Sequence, residues 1–214
     1  MRSPDITVII PCYNRNQFLL RALRSLNNQS IEPDRFQVIV IDDGSENHIV
    51  VTPDVFDFEL HLFRHEENLG LPSALNTGLT NTSTRYFVRL DSDDYVHEDF
   101  LRVLLLKFQL HPETMAASVD YIKVDEFERQ LGIFSFETDP IGCAVMFRTE
   151  IVRHIGMYNE EMLLAEEIEF QNRFEAKYKI SHIGLPLYRY CQHGDNLTGD
   201  SDLYGQFKEK LNEK

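Results

Sequence analysis

Residues Ile6 to Ile10 form an unbroken β-branched run. A strand of that kind is buried on both faces, which is the habit of a parallel sheet covered by helices on each side. The pattern then alternates. Phe18, Leu19, Ala22, Leu23 and Leu26 follow at helical spacing, with Asn14 or Asn16 as the N-cap. Val38 to Ile41 reads as a second buried strand and Phe58 to Phe63 as a third. Leu71 to Leu79 reads as a helix with Asn81 at its end, Tyr86 to Leu90 as a fourth strand, and Phe100 to Leu110 as a helix stopped by Pro112. Strand after helix after strand predicts an α/β fold with a mostly parallel central sheet flanked by helices. Ligands of such sheets bind at the carboxyl ends of the strands.

The second half is less regular. Met115 to Glu128 has room for one or two strands, and Arg148 to His154 for a short helix ended by Gly156. Glu166 to Tyr178 reads as a polar helix with Ile168, Phe170 and Phe174 as its apolar side. Ile180 to Tyr190 reads as one or two short strands broken by Pro186, and Leu203 to Lys214 as a charged terminal helix or tail. The 214 residues suit one domain. Its regular half would end near residue 94, and a less regular half would run from about 95 to 198.

Charge narrows the partners. A formal net charge of −14 with scattered Lys and Arg disfavours nucleic acid. A diphosphate can still bind if a divalent cation stands between it and the protein. Cys12, Cys143 and Cys191 are too far apart in sequence for a metal-cluster motif and read as reduced thiols, which with the short apolar N-terminal run points to a cytoplasmic protein. No run approaches the roughly 18 apolar residues of a membrane helix.

Three strand ends carry the unusual chemistry: Pro11-Cys12-Tyr13-Asn14-Arg15, Asp42-Asp43-Gly44-Ser45 and Asp91-Ser92-Asp93-Asp94. On one sheet edge, Asp42, Asp43, Asp91, Asp93 and Asp94 would repel one another. A hard divalent cation, Mn²⁺ or Mg²⁺, offsets such repulsion through oxygen ligands. Each motif alone has a plainer reading. Asp-Asp-Gly-Ser also suits a simple turn, and Tyr13 is either a base-stacking ring or a surface tyrosine. Asn68 and Gly70 mark a turn into a helix. Asn76 and Gly78 are poor helix formers inside a helical run, and close packing explains one as readily as a ligand contact explains the other. Glu166 and Glu167 open a helix, where acidic residues favour the macrodipole or serve as a general base. His193, before Gly194, is a metal ligand, a diphosphate contact or an ordinary loop histidine.

Taken in order, these residues resemble the GT-A family 2 glycosyltransferases. The resemblance is carried by Val8 to Arg15, Ile41 to Ser45, Asn68-Leu69-Gly70 with Ala74 to Gly78, and Arg89 to Asp94. Downstream it continues through Gly142 to Arg148, Gly156 to Glu160, Glu166-Glu167 and Tyr188-Arg189-Tyr190. It implies a nucleotide-diphospho-sugar transferase fold and a UDP-sugar as the favoured donor. Tyr13 and Asp43 resemble the base-binding pair, with Pro11 lining the same pocket and Asn14, Asn68 and Asn76 beside it. Asp91 resembles the ribose or sugar contact and Asp93 the metal-binding end of an Asp-x-Asp motif, with Asp94 and His193 as accessory ligands. Glu167 falls at the catalytic base, where the family usually has Asp, so Glu166 remains a second candidate. The resemblance further implies inverting transfer of a single sugar to a carbohydrate or lipid-linked glycan acceptor, in polysaccharide synthesis. The chain lacks the Gln-x-x-Arg-Trp motif of processive synthases, and peripheral membrane association stays compatible. The alternative is a nucleotide-sugar-binding protein of the same fold with little or no activity.

Overall fold

The computed structural model describes residues 3–162 and 165–192. The first half alternates as β1 (Ile6–Cys12), α1 (Asn16–Asn27), β2 (Phe36–Asp42), β3 (Glu59–Arg64), α2 (Leu71–Thr80) and β4 (Tyr86–Arg89). The second half holds β5 (Tyr95–Val96), α3 (Phe100–Leu110), β6 (Ala116–Val124), β7 (Gln130–Phe134), β8 (Val145–Arg148), α4 (Thr149–His154), α5 (Glu166–Glu175) and β9 (Ile180–Cys191). One sheet runs β3-β2-β1-β4-β8-β6-β9-β5, with β7 paired to β6.

The parallel expectation holds for β3, β2, β1 and β4. Beyond β4 the sheet is mixed. β8 enters antiparallel to both β4 and β6, and β9 returns parallel to β6. β9 is one strand rather than two. Pro186 sits where its register against β6 shifts, a bulge that spares a ladder bond proline cannot make. The hairpin strand β7 and the two-residue β5 have no clear signature in the sequence, since both are short and lie at edges.

β1 and β2 are buried along their whole length, as their β-branched runs require. Ile6, Val8 and Ile10 face α1 and α3, while Ile9, Ile39 and Ile41 face α2, α4 and α5. On that second face Gly78 packs α2 against β1. A Cβ there would come within 2.6 Å of the Ile9 side chain, so packing explains this glycine. Phe170 and Phe174 anchor α5 in the same cluster, each worth up to about 3 kcal/mol of burial.

α1 is capped differently from expectation. Arg15 occupies the cap position and Asn16 is the first helical residue. Asn14 lies outside the helix at a φ of 53°. Its amide oxygen accepts from the Glu46 N–H at 2.9 Å, and its own N–H donates to Ser45 Oγ at 3.0 Å. The residue ties two loops together instead of capping a helix. No described helix is long and apolar enough to cross a membrane. The expected terminal helix at 203–214 and His193 lie outside the described residues.

Candidate functional site

Parallel register brings the three polar strand ends to one edge. Cys12 stands opposite Asp42, and Asp42 opposite Arg64. Pro11 is buried one step before the end of β1. It has no N–H for the next bond toward β4, whose pairing with β1 stops at Ile9 and Arg89. The two strands can therefore part there. Tyr13, just beyond, is 44% exposed and presents a ring at the opening.

The Asp42-Asp43 pair divides its work. Asp42 is buried and faces back into the turn, accepting from the Ser45 N–H at 3.0 Å and pairing with Arg64. Burial works against its charge, but bonds from Ser45, Arg64 and the Ile49 N–H hold its carboxyl below the usual range. Asp43 accepts the N–H groups of Leu69 and Gly70 at 3.0 and 2.9 Å, and meets His65 Nδ1 at 2.6 Å. His65 Nε2 reaches the Thr77 hydroxyl of α2 at 2.9 Å. A carboxylate can only accept, so the proton lies on Nδ1. Asn68 supports the same loop by accepting the Gly70 N–H at 2.9 Å. Gly44, at a φ of 72°, lets the turn lie directly on the Glu67-Asn68 backbone.

Asn76 does not face this opening. Its amide nitrogen donates to the Tyr158 carbonyl at 2.9 Å and to Glu160 at 2.8 Å, and its oxygen accepts the Tyr158 N–H at 3.0 Å. Those bonds fill its amide and fasten residues 158–160 to α2. Where a ligand contact was expected, the structure shows a structural tie.

The acidic turn is asymmetric. Asp91 is half-buried, with both carboxylate oxygens gripped by Arg89 at 2.6 and 3.1 Å. Arg89 also donates from Nη1 to Glu166 at 3.1 Å. Asp93 is half-buried, and its carbonyl accepts from Arg21 of α1 at 2.7 Å. Asp94 is only 1% exposed and turns inward, toward Tyr188 and the Cys191 N–H. Burial pushes its carboxyl well up, and the charges of Asp93 and Asp91 push further. Glu166 is buried at the start of α5, and burial raises it to about 7 against the pull of Arg89. Glu167, next along the helix, is half-buried.

A donor set for a cation exists here. Donor atoms of Asp91, Asp94 and Cys143 lie within 4.8 Å of one another. Crowded carboxylates fit Mn²⁺ or Mg²⁺, whereas a buried neutral thiol suits neither. Burial raises the Cys143 thiol, which keeps it neutral. Asp91 and Asp94 are the carboxylates of that set, and Asp93 is not in it. Asp94, the expected accessory ligand, belongs to the set, and its oxygens also accept from Tyr188 and the Cys191 N–H.

Arg89 has no role in the sequence reading beyond its place in the motif Arg89 to Asp94, and His65 has none. A charged residue at the end of the apolar stretch Tyr86-Phe87-Val88 is itself the signal for Arg89. Nothing in the sequence marks His65.

Along the sequence the chain is 29% identical over 212 residues to an uncharacterised glycosyltransferase of Rickettsia bellii, covering 92% of this chain and 30% of that protein. It is 33% identical over 133 residues to the glycosyltransferase GlyA of Streptococcus pneumoniae, covering 61% of this chain and 18% of GlyA. The chain therefore spans about a third or less of these relatives. In three dimensions it superposes on S. aureus TarS 1-349 in complex with UDP-GlcNAc with a TM-score of 0.81 at 19% identity, over 97% of this chain and 64% of that one. The mannosyltransferase PcManGT of Pyrobaculum calidifontis, in complex with GDP-Man and Mn²⁺, superposes with a TM-score of 0.69 at 18% identity, over 92% and 59%. These likenesses show a GT-A fold. Residues 7–164 match the family described as Glycosyl transferase family 2, and the chain belongs to that family.

Proposed function

We propose that the protein is a metal-dependent glycosyltransferase that moves one sugar from a UDP-sugar to an acceptor hydroxyl with inversion. The observation that carries this reading is the meeting of the acidic turn and the acidic start of α5 through Arg89. A donor-holding edge and a candidate base then share one site. UDP-GlcNAc in TarS and GDP-Man with Mn²⁺ in PcManGT support the donor class.

Tyr13 stacks on the base, and Asp43 presents a remaining lone pair to the base edge, with Pro11 and the loop of Asn14 and Asn68 shaping that wall. Asp91, held by Arg89, offers the lone pairs left on its carboxylate to the ribose or sugar. A divalent cation held by Asp93 and Asp91 supplies charge neutralisation to the leaving diphosphate when bound. Glu167 takes the proton of the acceptor hydroxyl as its oxygen bonds to the anomeric carbon from the face opposite the diphosphate. The bond to the diphosphate breaks with its electron pair, leaving the nucleotide diphosphate, the glycoside of opposite configuration and a protonated Glu167. Glu166, turned into Arg89, supports this arrangement rather than taking the proton. A polysaccharide or lipid-linked glycan acceptor, with peripheral contact to a membrane, suits relatives that include a teichoic acid poly(glycerol phosphate) polymerase and a chondroitin synthase. A cytoplasmic location suits three buried cysteines that form no disulfide.

The test is a panel of UDP-, GDP- and dTDP-sugars with and without Mn²⁺, read by thermal shift and by nucleotide release. UDP-sugars should stabilise the fold and be turned over, and Glu167→Gln should bind UDP without turnover. Wild-type turnover in Glu167→Gln sinks the base assignment. Stabilisation without any nucleotide release leaves a binding protein. A product of retained configuration sinks the direct displacement.

A further inference from the structure

We propose that Arg89 is a positioning residue that sets the base-bearing start of α5 against the donor edge, acting through Asp91 on one side and Glu166 on the other. The inference rests on the transferase reading above.

Arg89 ends β4 and is 7% exposed. Its guanidinium forms a fork. Nε and Nη2 take the two oxygens of Asp91 at 2.6 and 3.1 Å, and Nη1 takes Glu166 at 3.1 Å. A planar group bonded on two sides fixes both distance and direction between its partners. A buried ion cluster is a weak stabiliser, because removing its charges from water offsets their attraction. Its worth here is geometric. With Glu166 turned inward onto Arg89, the next residue lies about 100° around the helix. Glu167 is that residue; it is half-buried and lies against Gly142, the same backbone that Arg89 meets.

Gly142 tightens the same joint. A Cβ at this position would stand 2.8 Å from Arg89 Nη1 and 2.8 Å from Glu167 Cβ. The backbone of residue 142 therefore fills the angle between Arg89 and the first turn of α5. Ala165, just before that turn, holds a left-handed φ of 60°. A non-glycine residue keeps that conformation only where its surroundings enforce it. Donor edge, loop and base helix are locked as one unit.

Arg89→Lys keeps the charge and removes the fork. Gly142→Ala keeps the residues of the ion cluster and presses a methyl against Arg89 Nη1 and Glu167 Cβ. The experiment measures UDP affinity by calorimetry with Mn²⁺, and kcat and donor KM by nucleotide release from a UDP-sugar. Both variants should lose about tenfold to a hundredfold in kcat, the scale of a small misplacement of a reacting group. UDP affinity and donor KM should stay within about twofold, the signature of an interaction used only in the transition state. Combining Arg89→Lys with Glu166→Gln should cost no more than the worse single change, because both cut one linkage. If Arg89→Lys fails to fold, Gly142→Ala and Glu166→Gln carry the same comparison. Unchanged kcat in Gly142→Ala and in either ion-cluster variant overturns the positioning role. So does a loss of UDP affinity that matches the loss of kcat. A wild-type protein that neither binds UDP nor releases it from a UDP-sugar overturns the transferase reading itself, and the positioning role with it.

Discussion

Tyr188 of β9 donates its hydroxyl to Asp94 at 2.7 Å, and this bond turns the last carboxylate of the acidic turn away from the open edge. The Cys191 N–H closes the other oxygen at 2.8 Å. Three carboxylates that look alike in sequence thus have different surroundings. Asp91 is gripped by an arginine, Asp93 is half-buried with its carbonyl bonded to Arg21, and Asp94 is built into the core. Tyr188→Phe should leave a buried carboxylate short of a donor and cost about 1–3 kcal/mol, read from urea unfolding. A variant as stable as the wild type would show the bond to be idle.

Asp93→Ala should remove the Mn²⁺-dependent part of UDP affinity in calorimetry, because the proposed cation is held by Asp93 and Asp91. Full Mn²⁺ stimulation in this variant would move the metal to other residues.

Gly44→Ala should destabilise by more than about 1 kcal/mol, since alanine is strained at positive φ. The added Cβ would also stand 2.3 Å from the Glu67 carbonyl carbon, which is backbone and cannot rotate away. UDP affinity should fall with it, as Asp43 is the preceding residue. A melting temperature equal to that of the wild type would contradict the close approach of the two loops.

Acid should expose the role of Asp42. Its folded carboxyl titrates below the ordinary value of 3.8, through its bonds to Ser45 and Arg64 despite burial. The stability it contributes is complete above that ordinary value and is lost as pH falls through the lower folded one. Asp42→Asn does not titrate. The gap in unfolding free energy between wild type and variant should be widest at neutral pH and close below about pH 4, the range of an unperturbed carboxyl. A gap that stays constant down to pH 2 would assign the effect to packing.

Much of the fold was legible because its signals are local. Ile6 to Ile10 and Val38 to Ile41 mark the buried strands, and both appear within β1 and β2. The apolar spacing of Phe100 to Leu110 matches α3. The second half resisted. Pro186 suggested a break, yet β9 runs through it by bulging, which depends on the register of β6 as a partner. The expected N-cap asparagines misled for a similar reason. Asn14 found a better partner in Glu46, across a loop from another strand.

The amino-acid sequence alone determined which strand ends carry carboxylates, and that they belong on one edge, because strand burial and parallel alternation are written in neighbouring residues. Only the tertiary structure decided what each carboxylate faces. Asp94 turns inward because Tyr188 and Cys191 lie opposite it, and Glu166 turns inward because Arg89 does. Asn76 spends its amide on Tyr158 and Glu160. The direction of a polar side chain is set by partners brought close through folding, so no local pattern could report it.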